Sequence, residues 1–112
     1  MPRILIYGAP ASGKSTRGEY LSKSLNIPLM YREQYPTDRD FITAVKEVVG
    51  DVIVIRCCFS NQELRDWKRF SRATQTICVQ PPLKQVKLQA LNRGTPEQYA
   101  AIDRWFAGHR KR

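Results

Sequence analysis

The chain has 112 residues, 42% hydrophobic and 26% charged, which suffices for one layered core and excludes wholesale disorder. Its formal charge of +9 is lopsided: residues 1–55 carry 7 Lys/Arg against 6 Asp/Glu (net +1), and residues 56–112 carry 12 against 4 (net +8). No apolar run nears the roughly 18 residues of a membrane span, Met1-Pro2-Arg3 does not read as a signal peptide, and Cys57, Cys58 and Cys78 give neither an even disulfide framework nor zinc-ligand spacing.

A cytoplasmic protein without a membrane partner is therefore expected. Its basic second half points to a polyanion, such as nucleic acid or a nucleotide, or else serves solubility together with the tail Arg110-Lys111-Arg112.

Arg3-Ile4-Leu5-Ile6-Tyr7 is a nearly continuous apolar run, as in a strand buried on both faces of a parallel sheet. It stops at Gly8, and an amphipathic helix is predicted from about Gly13 to Ser24, with Leu21 and Leu25 at helical spacing. Residues 27–31 read as a second strand. Thr37 or Asp38 opens a helix with Phe41, Ile42, Val45, Val48 and Val49 as one stripe, ended by Gly50. Val52–Ile55 is the most hydrophobic strand and belongs at the centre of the sheet. Ser60 and Glu63 form a capping box for a third helix reaching Arg72. Thr76–Val79 is a fourth strand, stopped by Pro81-Pro82, and a short helix follows with Leu83, Val86 and Ala90 inward. After the break at Arg93-Gly94, Thr95-Pro96-Glu97-Gln98 caps a last helix carrying Tyr99, Ile102, Trp105 and Phe106 on one side. Strand and helix alternate throughout, the pattern of one α/β domain over residues 1–112.

Gly8-Ala9-Pro10-Ala11-Ser12-Gly13-Lys14-Ser15 matches G-x-x-x-x-G-K-[ST] in full, between a buried strand and a helix. The glycines let successive backbone N–H groups turn inward as an anion nest, and the following helix adds its positive end. Lys14 can then reach the β- and γ-phosphates, the Ser15 hydroxyl can ligate Mg²⁺, and Thr16 is placed to touch the α-phosphate. The expected ligands are ATP, or another nucleoside triphosphate, with Mg²⁺. The guanine-reading N-K-x-D motif does not occur, and the small core is closer to a P-loop kinase than to a motor or a switch.

Over most of its length the chain resembles phage-type polynucleotide 5′-kinase domains. The features that carry the likeness are Gly8–Thr16, Tyr31-Arg32-Glu33-Gln34-Tyr35, Val52–Ile55, Asn61 to Trp67, and the run from Val79 through Pro81 to Asn92-Arg93-Gly94-Thr95. The resemblance implies a three-layer P-loop fold with a four-stranded parallel sheet in the order 2-3-1-4 and helices on both faces. It also implies a lid around residues 82–94 whose Arg93 clamps the triphosphate, and Glu33 as general base, where the family usually has aspartate. Asp38 and Asp40 stand as alternative bases, though both also suit a helix N-terminus.

The chain departs from that pattern where an acid usually follows the third strand, since Arg56-Cys57-Cys58 stands there and Asp51 lies at the wrong edge. Gln89 likewise replaces a basic lid residue, with Lys84 and Lys87 as substitutes on the same helix. Arg65, Lys68, Arg69 and Arg72 make one helix face uniformly basic. Arg56, Lys87, Arg65 and Arg69 are accordingly the candidates for acceptor binding. Trp67 and Trp105 read as core residues, Cys57 and Cys58 as small buried ones, and His109 as solvated without a partner.

The expected activity is transfer of the ATP γ-phosphoryl to a hydroxyl, foremost a nucleic-acid 5′ end. The alternatives are a nucleotide or nucleoside kinase and an ATP-binding interaction protein with little turnover. Oligomeric state is left open, because a four-stranded sheet has two edges to protect.

Overall fold

The unbroken apolar character of residues 4–6 and 52–55 dictates a sheet covered on both faces, and a computed structural model describing residues 2–109 has that arrangement. Four parallel strands, β1 (Arg3–Tyr7), β2 (Leu29–Tyr31), β3 (Val52–Arg56) and β4 (Gln75–Cys78), lie in the order β2-β3-β1-β4. The helices are α1 (Lys14–Leu25), α2 (Asp38–Glu47), α3 (Asn61–Ser71), α4 (Leu83–Asn92) and α5 (Tyr99–Gly108), with short 3-10 turns at Arg32–Gln34 and Pro96–Gln98. Met1 and the basic tail Arg110-Lys111-Arg112 lie outside the described residues.

Strand alternation divides the core. Ile4, Ile6, Ile53 and Ile55 pack with Ile27 and Leu21 on the α1 face. Leu5, Val52 and Val54 pack with Phe41, Val45 and Trp67 on the face covered by α2 and α3. A third cluster joins Ala9 of the loop after β1 to Val86 and Ala90 of α4 and to Ile102 and Trp105 of α5. Trp67 and Trp105 are core residues, as expected. Arg3 ties down the opposite edge, with Nε donating to Ser71 O at 2.8 Å and NH1 to Gly50 O at 2.5 Å.

Three local expectations need correction. α2 ends at Glu47, and Val49, 87% exposed, takes no part in the stripe; the chain extends at Val48 and then turns at Gly50 (φ 90°). α1 buries Gly18 rather than a leucine stripe. A Cβ there would stand 2.5 Å from Ile55 Cδ1, so the missing side chain lets the helix approach β3, while Leu25 is exposed. β4 starts and stops one residue earlier than expected and is a largely exposed edge strand.

The C-terminal helix closes on the β3–α3 loop. Trp105 Nε1 donates to Cys57 O at 2.6 Å, and a Cβ on Gly108 would fall 1.8 Å from Phe59 O. Gly108→Ala must therefore push α5 off the loop. It is expected to cost about 1–3 kcal/mol, read as a fall in Tm of roughly 4–8 °C per kcal/mol in a thermal melt.

Candidate functional site

The loop between β1 and α1 turns back on itself through two left-handed residues, Ala11 (φ 61°) and Gly13 (φ 100°). Ser12 N bonds Ala9 O at 3.2 Å, and α1 begins at once with Arg17 N on Gly13 O at 3.1 Å. No acidic residue occupies the first turn of α1, so its positive end is uncompensated. Gly8 is required by contact rather than by dihedral angle, since a Cβ there would lie 2.2 Å from Val79 O. Lys14 is buried, its Nζ donating to Ala9 O at 2.7 Å, while Ser15 and Thr16 are exposed beside it. The Ser12 hydroxyl is buried without a partner among the described residues.

A cleft of about 410 Å³ opens beside this loop, at the carboxyl edge of the sheet. Lys14 and Ser15 line it from the loop, Glu33 from the turn after β2, Arg56 from the end of β3, and Arg93 from the end of α4. Arg93 also borders the smaller hollow of about 370 Å³ over Ala11–Thr16. The residues expected to carry chemistry thus converge from four separate elements. Arg32, Thr95 and Gln98 line the same cleft and no motif singled them out as site residues. Thr95 Oγ1 lies 3.1 Å from Gln98 Oε1, bracketing the turn that carries both.

Arg56 ends β3, at the position where the sequence departs from the usual acid. Strand alternation turns it toward α2 and α3, where it lies 5.3 Å from the Trp67 ring and pairs with Asp38, NH1 to Oδ1 at 2.9 Å and NH2 to Oδ2 at 3.4 Å. Arg32 Nε donates to the same Oδ1 at 2.6 Å. The hydrogen bond from Arg56 is the main cause holding the Asp38 carboxyl below the usual aspartate range, with Arg32 adding to it against some desolvation. The lowered value means that this linkage favours the fold at neutral pH and is lost only as pH falls through it. Asp38 therefore serves as an arginine clamp. Asp40 lies on α2, outside the cleft lining.

Three of the four expected acceptor contacts are not in the cleft. α3 leaves the carboxyl edge at Ser60 and runs back to the opposite edge, where the Ser71 carbonyl meets Arg3. Its basic stripe follows it away. Arg69 borders a separate hollow with Lys46, Phe70 and Arg72 and bonds Asp66 at 3.4 Å, while Arg65 bonds Gln62 at 2.8 Å. Lys87 faces α5, paired with Asp103 at 2.9 Å over the Tyr99 ring.

His109 is also corrected. Its Nε2 lies 2.5 Å from Cys58 O and its ring stacks on Trp105 at 4.1 Å, so it anchors the β3–α3 loop beside the cleft.

A larger cavity of about 890 Å³ lies between β4 and α5, lined by Cys78, Leu83 and Phe106, and does not touch the phosphate loop. Among the described residues no group of three or more His, Cys, Asp or Glu could hold a metal ion, and no helix is long and apolar enough to cross a membrane.

These features define the fold as that of the P-loop kinases, with the sheet order and the strand–loop–helix phosphate site in place. The chain is similar in structure to a gluconokinase from Sinorhizobium meliloti, with a TM-score of 0.70 and 14% identity over 92% of this chain and 74% of that one. It is also similar to a candidate kinase from Chloroflexus aurantiacus, with a TM-score of 0.59 and 15% identity over 93% of this chain and 74% of that one. No protein-family model matches the sequence, and no curated protein matches it.

Cys58, at φ 56° in the loop that α5 anchors, is fully buried, and desolvation pushes its thiol up to about 12. Alkylation at pH 8 with iodoacetamide, followed by mass spectrometry, is expected to modify exposed Cys78 and leave Cys58 untouched until the chain is denatured.

Proposed function

We propose that the protein is a kinase-type enzyme that transfers the γ-phosphoryl of ATP to the hydroxyl of a small acceptor. The observation that carries this reading is the convergence of Lys14, Ser15, Glu33 and Arg93 on one cleft beside an anion nest. The amides of residues 13–16 bind the triphosphate. Lys14 exchanges Ala9 O for phosphate oxygens, and Arg93 adds charge from the lid. Both stabilise a transferring group whose charge is spread over its equatorial oxygens. Glu33, exposed at the cleft and without a protein hydrogen bond among the described residues, accepts the proton of the attacking hydroxyl.

The donor set also fits Mg²⁺ in the sparse manner that ion favours. The Ser15 hydroxyl would be its protein ligand and the remaining positions would fall to nucleotide and water, since Asp38 is committed to two arginines. Mg²⁺ bound there supplies neutralisation of triphosphate charge.

The likeness to a gluconokinase supports a small hydroxyl acceptor. The position of α3, whose basic face leaves the cleft, counts against the nucleic-acid 5′ end that the sequence resemblance implies. That end remains an acceptor to be tested, because residues 56–112 carry net +8 (12 minus 4). One observation favours a second reading, nucleotide binding without turnover: an arginine stands where an acid usually follows the third strand.

Purified protein incubated with labelled ATP, Mg²⁺ and a panel of sugar acids, polyols, nucleosides and 5′-hydroxyl oligonucleotides separates these readings. Transfer to one acceptor class, abolished by Lys14→Ala, is expected. Nucleotide binding with no transfer to any of them supports the second reading. Glu33→Gln is expected to slow transfer by about 10²-fold with little change in ATP affinity, and an unchanged rate removes Glu33 from the mechanism.

A further inference from the structure

The wall of the cleft on the α2–α3 side is a relay of three charged residues. Arg32 spends its guanidinium on the protein: Nε on Asp38 at 2.6 Å, NH1 on Tyr35 O at 2.6 Å and NH2 on Pro36 O at 3.5 Å. It is a structural arginine that fixes the 35–38 segment and the Asp38 carboxylate. Asp38 in turn takes two bonds from Arg56. Arg56 is differently placed. A guanidinium has five N–H donors, and among the described residues Asp38 is the only hydrogen-bond partner Arg56 has, with Nε buried and unmatched. Its side chain is 18% exposed, and the Trp67 ring beneath it limits its freedom.

Charge points the same way. One carboxylate is shared by two guanidiniums, so this wall keeps a net positive charge after its internal pairing. That charge stands apart from the hollow over Ala11–Thr16, whose lining includes Arg93 but not Arg56. With Nε buried and NH1 and NH2 each bonded once to Asp38, the unspent donors are the remaining N–H groups of NH1 and NH2. A half-buried, oriented cation offering them is suited to a carboxylate or phosphate oxygen and less to a neutral hydroxyl compound.

We propose that Arg56, oriented by Asp38 and Arg32, reads an anionic group on the phosphoryl acceptor, a carboxylate or a phosphate monoester carried beside the hydroxyl that is phosphorylated. The inference rests on the kinase reading for the word acceptor, but the anion seat itself does not need turnover. Asp38 and Arg32 are positioning residues, and Arg56 makes the contact.

Three probes of one carbon skeleton test it: glycerate, glycerol 3-phosphate and glycerol, titrated into the protein with and without a saturating non-hydrolysable ATP analogue. Heat and Trp67 fluorescence are read together, because Arg56 lies over that ring. At least one anion is expected to bind and glycerol is not, and the tighter anion assigns the source as carboxylate or phosphate. Arg56→Gln is expected to weaken the anion by about tenfold or more while leaving affinity for the ATP analogue within about twofold. Arg56→Lys, which keeps the charge but loses the fork, should fall between and guards against a folding defect in the glutamine variant.

Glycerol binding as well as the anions, equal anion affinity in Arg56→Gln, or nucleotide binding with no response to any probe overturns the proposal. Anion binding lost in Arg56→Gln without any nucleotide binding keeps the anion seat and discards the kinase reading instead.

Discussion

The site depends on a backbone constraint before it depends on any side chain. Within three residues the chain passes twice through the left-handed region, at Ala11 and Gly13, and this reversal wraps residues 11–16 around one hollow. An alanine accepts that conformation only at some cost. The surroundings hold it there: Ala9 is packed against Val86, Ala90 and Trp105, and Gly8 is pressed against Val79 O. The loop is thus held by the sheet on one side and by α4 on the other. Its geometry and the position of Arg93 are set by the same contacts.

From that point the parallel sheet does the assembling. Every strand ends at the edge where the loop lies, so β2 delivers Glu33 and Arg32 while β3 delivers Arg56, without these residues being near one another in sequence. The crossover helices α1, α2 and α3 then carry their residues away from that edge, whereas α4 brings Arg93 to it at its C-terminal end. The rule explains why Arg56 lies at the site and why the far more conspicuous basic stripe of α3 does not. The C-terminal helix adds a further restraint: Trp105 and His109 hold the carbonyls of Cys57 and Cys58, which fixes the loop that follows Arg56.

Much of this was legible in the sequence, for identifiable reasons. The strand–glycine loop–helix pattern and the burial of Trp67 and Trp105 follow from periodicity and a specific motif, which are local signals, whereas the sheet order was an implication of the family resemblance. The direction of the α3 stripe was not legible, because i, i+3, i+4 spacing shows that residues share a face and says nothing of where that face points. The Arg32–Asp38–Arg56 relay was equally hidden, as Asp38 and Arg56 are 18 residues apart and meet only through the β2–β3 pairing. His109 read as a solvated tail residue because its partner is the backbone carbonyl of Cys58, a contact that leaves no mark on composition. Val49 read as core from its place in the helical stripe, whereas the helix had already ended at Glu47.

The account stands on the curled segment after the first strand enclosing a string of phosphates. The most direct measurement follows the backbone amide resonances of the ¹⁵N-labelled protein as ATP is added. Large shifts confined to residues 11–16 and Arg93, with α3 unmoved, are the predicted result. Shifts centred on α3, or no response of the Gly13, Lys14 and Ser15 amides at saturating ATP, would contradict it.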